Sequence, residues 1–224
     1  MIAKTFSATI LGIEAHLIDV EVDISFGLAN FNIVGMPDGT IRESRDRVMA
    51  AINNSGFQMP IRKIVVNLAP ANLRKIGSGF DLPIAVAILG ALGIFPAEQL
   101  NQYMIAGELS LDGNIRPIRG ALPVAVAARD QKLQGLILPK ENEAEAAVVS
   151  EVQRLPVSSL KEVVQYFQGE VELSANEYDI TSLFEKQQTY EEDFQDVKGQ
   201  EYVKRALEVA ASGNHNLLML CLIK

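Results

Sequence analysis

The sequence predicts a mixed α/β fold, of α/β or α+β class, with a mixed sheet. Three observations predict it. Short β-patterned runs alternate with helix-patterned runs along the first two thirds of the chain. Lys63–Pro70, KIVVNLAP, is almost wholly apolar over a strand's length, as expected of a central strand. Asp112-Gly113, flanked by strand-like segments, is the strongest hairpin signal present and brings antiparallel pairing into the sheet.

The elements follow in order. KTFSATILGI and EAHLIDVEVDIS alternate apolar and polar residues, with Gly12 at the turn between them, and FNIVGMP reads as a third strand. Asp38 is placed to cap a helix through Asn53, with Ile41, Val48, Met49 and Ile52 on one face and Gly56 as its stop. After the apolar strand, Asp81 is expected to cap a second helix, DLPIAVAILGALG. Its Pro83 falls in the first turn, where a missing N–H costs nothing. That helix is apolar nearly all round and so belongs in the interior. YMIAGELSL and NIRPIRG flank the hairpin turn. ALPVAVAARDQK is helical, GLILP a strand, KENEAEAAVVS a helix, RLPVSS a strand and SLKEVVQYF a helix. No internal repeat is present.

Composition bounds the function classes. The 224 residues are 48% hydrophobic and 21% charged, which is globular. Only Cys221, His16 and His215 represent their types, which excludes a disulfide framework and argues against a cysteine or histidine metal site. No apolar run reaches the ~20 residues a membrane span needs. The N-terminus reads as a strand rather than a signal peptide, so the expected location is the cytoplasm. The net charge of −8 is unevenly spread. Residues 1–140 carry thirteen basic and twelve acidic groups, residues 141–201 four and fifteen, and residues 202–224 three and one. The acidic stretch suggests a domain at 1–168, an acidic linker at 169–193, and the start of a second domain at 194–224.

Two segments carry candidate chemistry. Gly77-Ser78-Gly79 precedes a helix N-terminus, so it is either an anion cradle or a tight turn. Neither GxxxxGK(S/T) nor GxGxxG occurs there. Residues 41–75 hold Arg42, Arg45, Arg47, Arg62, Lys63, Arg74 and Lys75 against Glu43 and Asp46, net +5, which suits DNA phosphates, a solvated helix face with surface ion pairs, or contact with an acidic neighbouring subunit. Arg42 and Arg45 share a helix face, and Asp46 is one turn from Arg42. The aromatics near them in sequence are sparse, Phe57 and Phe80, so base stacking is not indicated. Arg116 and Arg119 are second-choice DNA contacts. Glu108 and Asp112 read as hairpin residues.

The run KIGSGFDLPI, then GELSLDGNIRPIRGALPVAVAA, then GLILPKENEAE resembles the proteolytic domain of Lon-type proteases. The resemblance implies a Lon-like fold, a variant of the ribosomal-protein S-five-type fold. It sets Gly79 where the family's nucleophilic serine stands and Leu122 where its base lysine stands. Glycine offers no nucleophile and leucine no exchangeable proton, so the implied peptidase is dead. Ser78 stands one position early. FNIVGMPDGTIRESRDRV and INNSGFQMPIRKIVVNLAPANLRKIGSGFDLPIA resemble the YifB/ComM group of Mg-chelatase-like AAA+ proteins. That resemblance implies a Lon-like N-terminal domain, an AAA+ motor and a further domain. The implied assembly is a hexameric, ATP-driven branch-migration helicase of natural transformation. In FQDVKGQEYVKRALEVAASGNHNLLML, Val197, Lys198, Gly199 and Gln200 match the segment beside the nucleotide base, followed by a helix and a strand, NLLML. The family continues into a phosphate loop, whereas here Cys221-Leu222-Ile223-Lys224 follows. The departure is expected of a truncation or frameshift near position 220, or of the boundary of an expressed piece, with frameshift favoured by its abruptness.

The expected function is therefore a non-catalytic assembly and DNA-guiding domain, with DNA and further copies of itself as partners. ATP and Mg²⁺ are expected only in full-length relatives, and no metal is expected here. A cryptic peptidase on Ser78, or a peptide-binding module on the old protease cleft, is the alternative.

Overall fold

The computed structural model describes residues 1–179 and 193–220. It divides into two units, Met1–Tyr178 and Asp179–Lys224. Residues 180–192, in the acidic linker, and Cys221 to Lys224 lie outside the described residues.

The first unit is built on a seven-stranded sheet. Its strands are β1 (Ile2–Leu11), β2 (Glu14–Ser25), β3 (Asn30–Val34), β4 (Lys63–Ala69), β5 (Tyr103–Ile105), β8 (Gly135–Pro139) and β9 (Gln153–Val157), in the order β3-β4-β2-β1-β5-β8-β9. The pairs β1–β2 and β2–β4 are antiparallel, while β3–β4, β1–β5, β5–β8 and β8–β9 are parallel. The sheet is thus mixed, as predicted, and mostly parallel. β6 (Glu108–Leu109) and β7 (Ile115–Arg116) form a separate two-stranded ribbon around Asp112-Gly113. β4 is interior but one strand in from the edge, not central.

The strands alternate because only one face of the antiparallel half is buried. On β2, Ile18, Val20, Val22 and Ile24 point inward, joined by Ile64, Val66 and Leu68 of β4. On the outer face Lys4 pairs with Asp19 at 2.8 Å, and Asn67 donates to Glu21 at 2.8 Å. Against the inner face pack helices α1 (Gly39–Asn54), α2 (Asp81–Ala91) and α5 (Leu160–Gln168). All eleven residues of α2 are buried, as its all-round apolar sequence requires. A second, smaller core holds α3 (Ala121–Asp130) and α4 (Glu143–Ala146) against Met104, Leu136 and Leu138. The predicted helix over KENEAEAAVVS shrinks to a 3₁₀ turn, Lys140–Asn142, and the single turn of α4.

Two caps show how local chemistry sets the ends. Asp38 caps α1 as expected, accepting the Ile41 N–H at 2.9 Å. Asp81 does not cap α2: Phe80 holds the cap position and Asp81 is the first helical residue. Its carboxylate is taken by partners outside the helix. Ahead of α1, Gly35 has φ +98°, and a Cβ there would stand 2.1 Å from the Leu68 carbonyl oxygen, so only glycine lets the loop cross β4.

The chain after α5 remains on the first unit as far as Tyr178, ten residues past the predicted limit. Glu143, fully buried, accepts the Asn176 backbone N–H at 2.5 Å, the Asn176 side-chain amide at 2.7 Å and the Tyr178 hydroxyl at 3.2 Å. Arg154 donates to the Asn176 carbonyl at 3.1 Å. Residues 170–178, read as linker, are thus a strap tied to α4 and β9.

In the second unit, the 3₁₀ turn Phe194–Asp196 precedes α6 (Glu201–Gly213), whose start is set by Gly199 and Gln200 at positive φ. Asn216–Leu220, predicted as a strand, has no regular structure. A strand needs a neighbour for its backbone groups, and no described residue pairs with it.

Candidate functional site

Two surfaces of the first unit carry the candidate residues. The first is the cleft where a Lon-type protease would keep its dyad. It encloses about 500 Å³, lined by Ile10, Thr40, Gly77, Ser78, Gly79, Glu108, Ile118 and Arg119 among others. Gly79 lines it, and a Cβ there would meet only the Ile118 methyl at 3.6 Å, so the space for a side chain persists without the side chain. Leu122, in the first turn of α3, is half-buried against the second core and does not line the cleft. Its backbone N–H is held by Glu145 at 3.0 Å, and Asn142 clamps both the N–H and C=O of Ile118. Ser78 donates its hydroxyl to Glu108, whose other oxygen lies 3.8 Å from Arg116. Neither lysine nor histidine lines the cleft. The two positions that match the Lon dyad hold Gly79 and Leu122, which supply neither a nucleophile nor a base.

The glycine loop is a turn rather than an anion cradle. The Gly77 N–H goes to Asp38, the Asp81 N–H to the Ser78 carbonyl and the Leu82 N–H to the Gly107 carbonyl. With those donors spent and the Asp38 and Glu108 carboxylates held against the loop, an anion meets repulsion instead of a nest.

The second surface is the basic cluster, which the fold divides. Arg47 turns inward. Its guanidinium grips the fully buried Asp81 at 2.8 and 3.1 Å, and Ser44 and the Leu109 N–H complete the ring. Burial pushes the Asp81 carboxyl up from its usual range, against the pull of Arg47 and Ser44. Lys75 is buried outright, its ammonium given to the carbonyls of Gly35, at 2.7 Å, and Pro70. Desolvation lowers its pKa. Both were expected as phosphate contacts; the fold uses them internally because the loops they tie would otherwise leave carbonyls and a carboxylate unpaired.

Arg42, Arg45, Arg62, Lys63 and Arg74 remain at the surface, Arg62 partly covered. Arg42 and Arg45 line a groove between α1 and the edge strand β3. Arg45 and Arg62 line a second groove with Asn30, Met49 and Met59. Asp46 pairs with Arg45 at 3.3 Å, not with Arg42. Arg74 stands apart, its carbonyl accepting from Thr9. Sequence reasoning missed Phe26: its ring, far away in sequence, stacks on the Arg62 guanidinium at 4.7 Å because Ser25 of β2 pairs with Lys63 of β4. Ser44 was missed too; its polar side chain on the buried stripe of α1 was the available signal.

In the second unit, Val197, Lys198, Gly199 and Gln200 lie exposed in the turn before α6, where Gln200 is the cap residue. No group of three or more metal-ligating side chains occurs among the described residues, and none of their helices is long and apolar enough to cross a membrane.

Comparison with known proteins agrees with this architecture. The family "Subunit ChlI of Mg-chelatase" matches residues 20–142, and "Magnesium chelatase, subunit ChlI" matches residues 193–222. Competence protein ComM of Haemophilus influenzae is 40% identical over 98% of this chain and 43% of its own length. YifB of Escherichia coli K12 is 40% identical over 94% of this chain and 40% of its own length. Lon protease 2 of Bacillus subtilis is 24% identical over 60% of this chain and 25% of its own length, in keeping with the Lon-like fold. The chain therefore spans less than half the length of ComM and YifB. With a family match over more than half its residues and this likeness to both proteins, the chain belongs to the Mg-chelatase ChlI family, in its YifB/ComM group.

Proposed function

We propose that the chain is the non-catalytic N-terminal module of a ComM-like protein, and that it holds and guides DNA and helps copies assemble for an ATP-driven branch-migration motor of natural transformation. One observation carries the DNA reading. The fold withdraws Arg47 and Lys75 from the basic cluster yet leaves Arg42, Arg45 and Arg62 lining adjoining grooves on one edge of the sheet. Cations placed together on a surface supply sequence-independent phosphate affinity. The cleft supports the non-catalytic part, since both dyad positions hold inert residues.

ATP and Mg²⁺ belong to this proposal through the motor alone. The residues from Val197 to Leu220 include a turn and an amphipathic helix but no GxxxxGK(S/T) loop, so the described residues do not fit a nucleotide's phosphates and no step is assigned to one.

The test is fluorescence anisotropy with labelled duplex and four-way-junction DNA across a salt titration, with light scattering for mass. We expect affinity to fall with salt, and the Arg42→Ala/Arg45→Ala double variant to bind more weakly with a slope shallower by about one unit per arginine. No binding at low salt, together with a strictly monomeric species, would overturn the reading. A fluorophosphonate that labels the wild type but not Ser78→Ala would replace it with a cryptic peptidase.

A further inference from the structure

We infer that Phe26 and Arg62, with Arg45 and Lys63 beside them, form a stacking platform for a base of single-stranded nucleic acid. This rests on the DNA reading above and gives it a specific site and strand type. Phe26 is 88% exposed although its ring packs on the Arg62 guanidinium, so most of the ring remains in water. A phenyl group in solvent gains by covering that surface, and an aromatic ring backed by a guanidinium offers a polarised face to a planar base. Leu28 and Ile61, 93% and 89% exposed, add apolar surface on the same two loops. The three residues join a loop between β2 and β3 to the residue just before Arg62.

The neighbouring charges fit a phosphate backbone. Lys63 is exposed at the start of β4, directly across from Ser25, and Arg45 and Arg62 line the adjoining groove. That groove holds about 250 Å³, and Asn30 on its rim offers an amide for a base edge. Sites that enclose a whole small molecule run from ~300 to ~1,000 Å³, so this one suits a single planar group lying on an open surface. A paired duplex hides its base faces, whereas a single strand presents them, and the combination of stacking ring and cation groove is how such strands are held without sequence preference. Arg45 is partly balanced by Asp46, which leaves Arg62 and Lys63 as the principal cations.

The experiment uses the full chain and a fluorescein-labelled oligothymidylate, with affinity read by anisotropy across a potassium chloride titration. Phe26→Ala should weaken binding about tenfold with the salt slope unchanged, because stacking releases no counterions. Phe26→Trp should restore it. Arg62→Ala should lower both affinity and slope, the slope by about 0.7. Since Phe26 lies in solvent, its replacement leaves the fold intact, as an unchanged urea midpoint would verify. If the wild type binds and Arg42→Ala/Arg45→Ala weakens it while Phe26→Ala does not, the platform is refuted and the DNA reading stands. If Phe26→Ala changes only the mass in light scattering, the patch is a contact between copies and the platform is likewise refuted. If the wild type binds no DNA at all, both readings fall.

Discussion

At the scale of single residues, the first unit depends on a few buried polar groups that a hydropathy reading would place outside. Asp81 is the clearest. Its carboxylate accepts from Ser44, Arg47 and the Leu109 N–H, and burial still pushes its pKa up. A carboxyl raised in the folded state adds stability that is full below its unfolded value and lost as pH rises through the folded one. Arg47→Ala should remove the main opposing influence and cost about 3 kcal/mol at neutral pH, because the charge left behind is fully buried. That loss should shrink as pH falls toward about 4, where Asp81 binds a proton in both states. Urea unfolding at several pH values measures both; a pH-independent loss would show that Arg47 acts by packing alone. The role of Asp81 was half legible in the sequence. Its position before an apolar helix suggested a cap, but the pairing with Arg47 joins residues 34 positions apart, and no local pattern encodes such a pairing. Lys75 was illegible for the same reason, since the carbonyls it satisfies come from loops that only the closed sheet brings together.

At the scale of elements, legibility was better and followed burial. β1, β2, β4 and α1 lie within one or two residues of the predicted spans, since each has one wet and one dry face and so a readable period. The hairpin was found from Asp112-Gly113, where Gly113 takes φ +87° and any Cβ would strike the Ser55 hydroxyl. The short α4 and the strap after α5 were not found, because a single turn and an irregular segment carry no period. The strap gives an element-level prediction. Glu143→Ala should release Asn176 and Tyr178 together, lowering stability by about 2 kcal/mol. Hydrogen exchange should then report lost protection at the Asn176 amide. Retained protection would mean that Leu173, packed on the core, holds the strap by itself.

At the scale of the whole molecule, the unit boundary at Tyr178 decides where the chain can be cut. A fragment ending at 178 should unfold in one cooperative step and stay more soluble than the full chain, since it sheds the exposed Leu217, Leu218, Met219 and Leu220. A fragment ending at 168 should be less stable than that by about 2 kcal/mol, for it leaves the buried Glu143 without its donors. Calorimetry and sedimentation of the two fragments distinguish these outcomes; equal melting of both would place the boundary at the end of α5. The charge balance shifts near residue 141, but charge marks where solvent begins, not where the last hydrogen bonds are made.

The strand order has a consequence in time as well as in space. β1 to β4 are all made by residue 69 and pair only with one another, apart from the single seam from β1 to β5. A polypeptide leaving the ribosome N-terminus first can therefore zip β1 to β4 together while β5, β8 and β9 are still unsynthesised. Ile18, Val20 and Val22 of β2 must then wait for α2, written 81–91, to cover them. Elongation across those few codons sets how long the nascent sheet stands with its face bare, the interval in which a chaperone or a neighbouring nascent chain meets it.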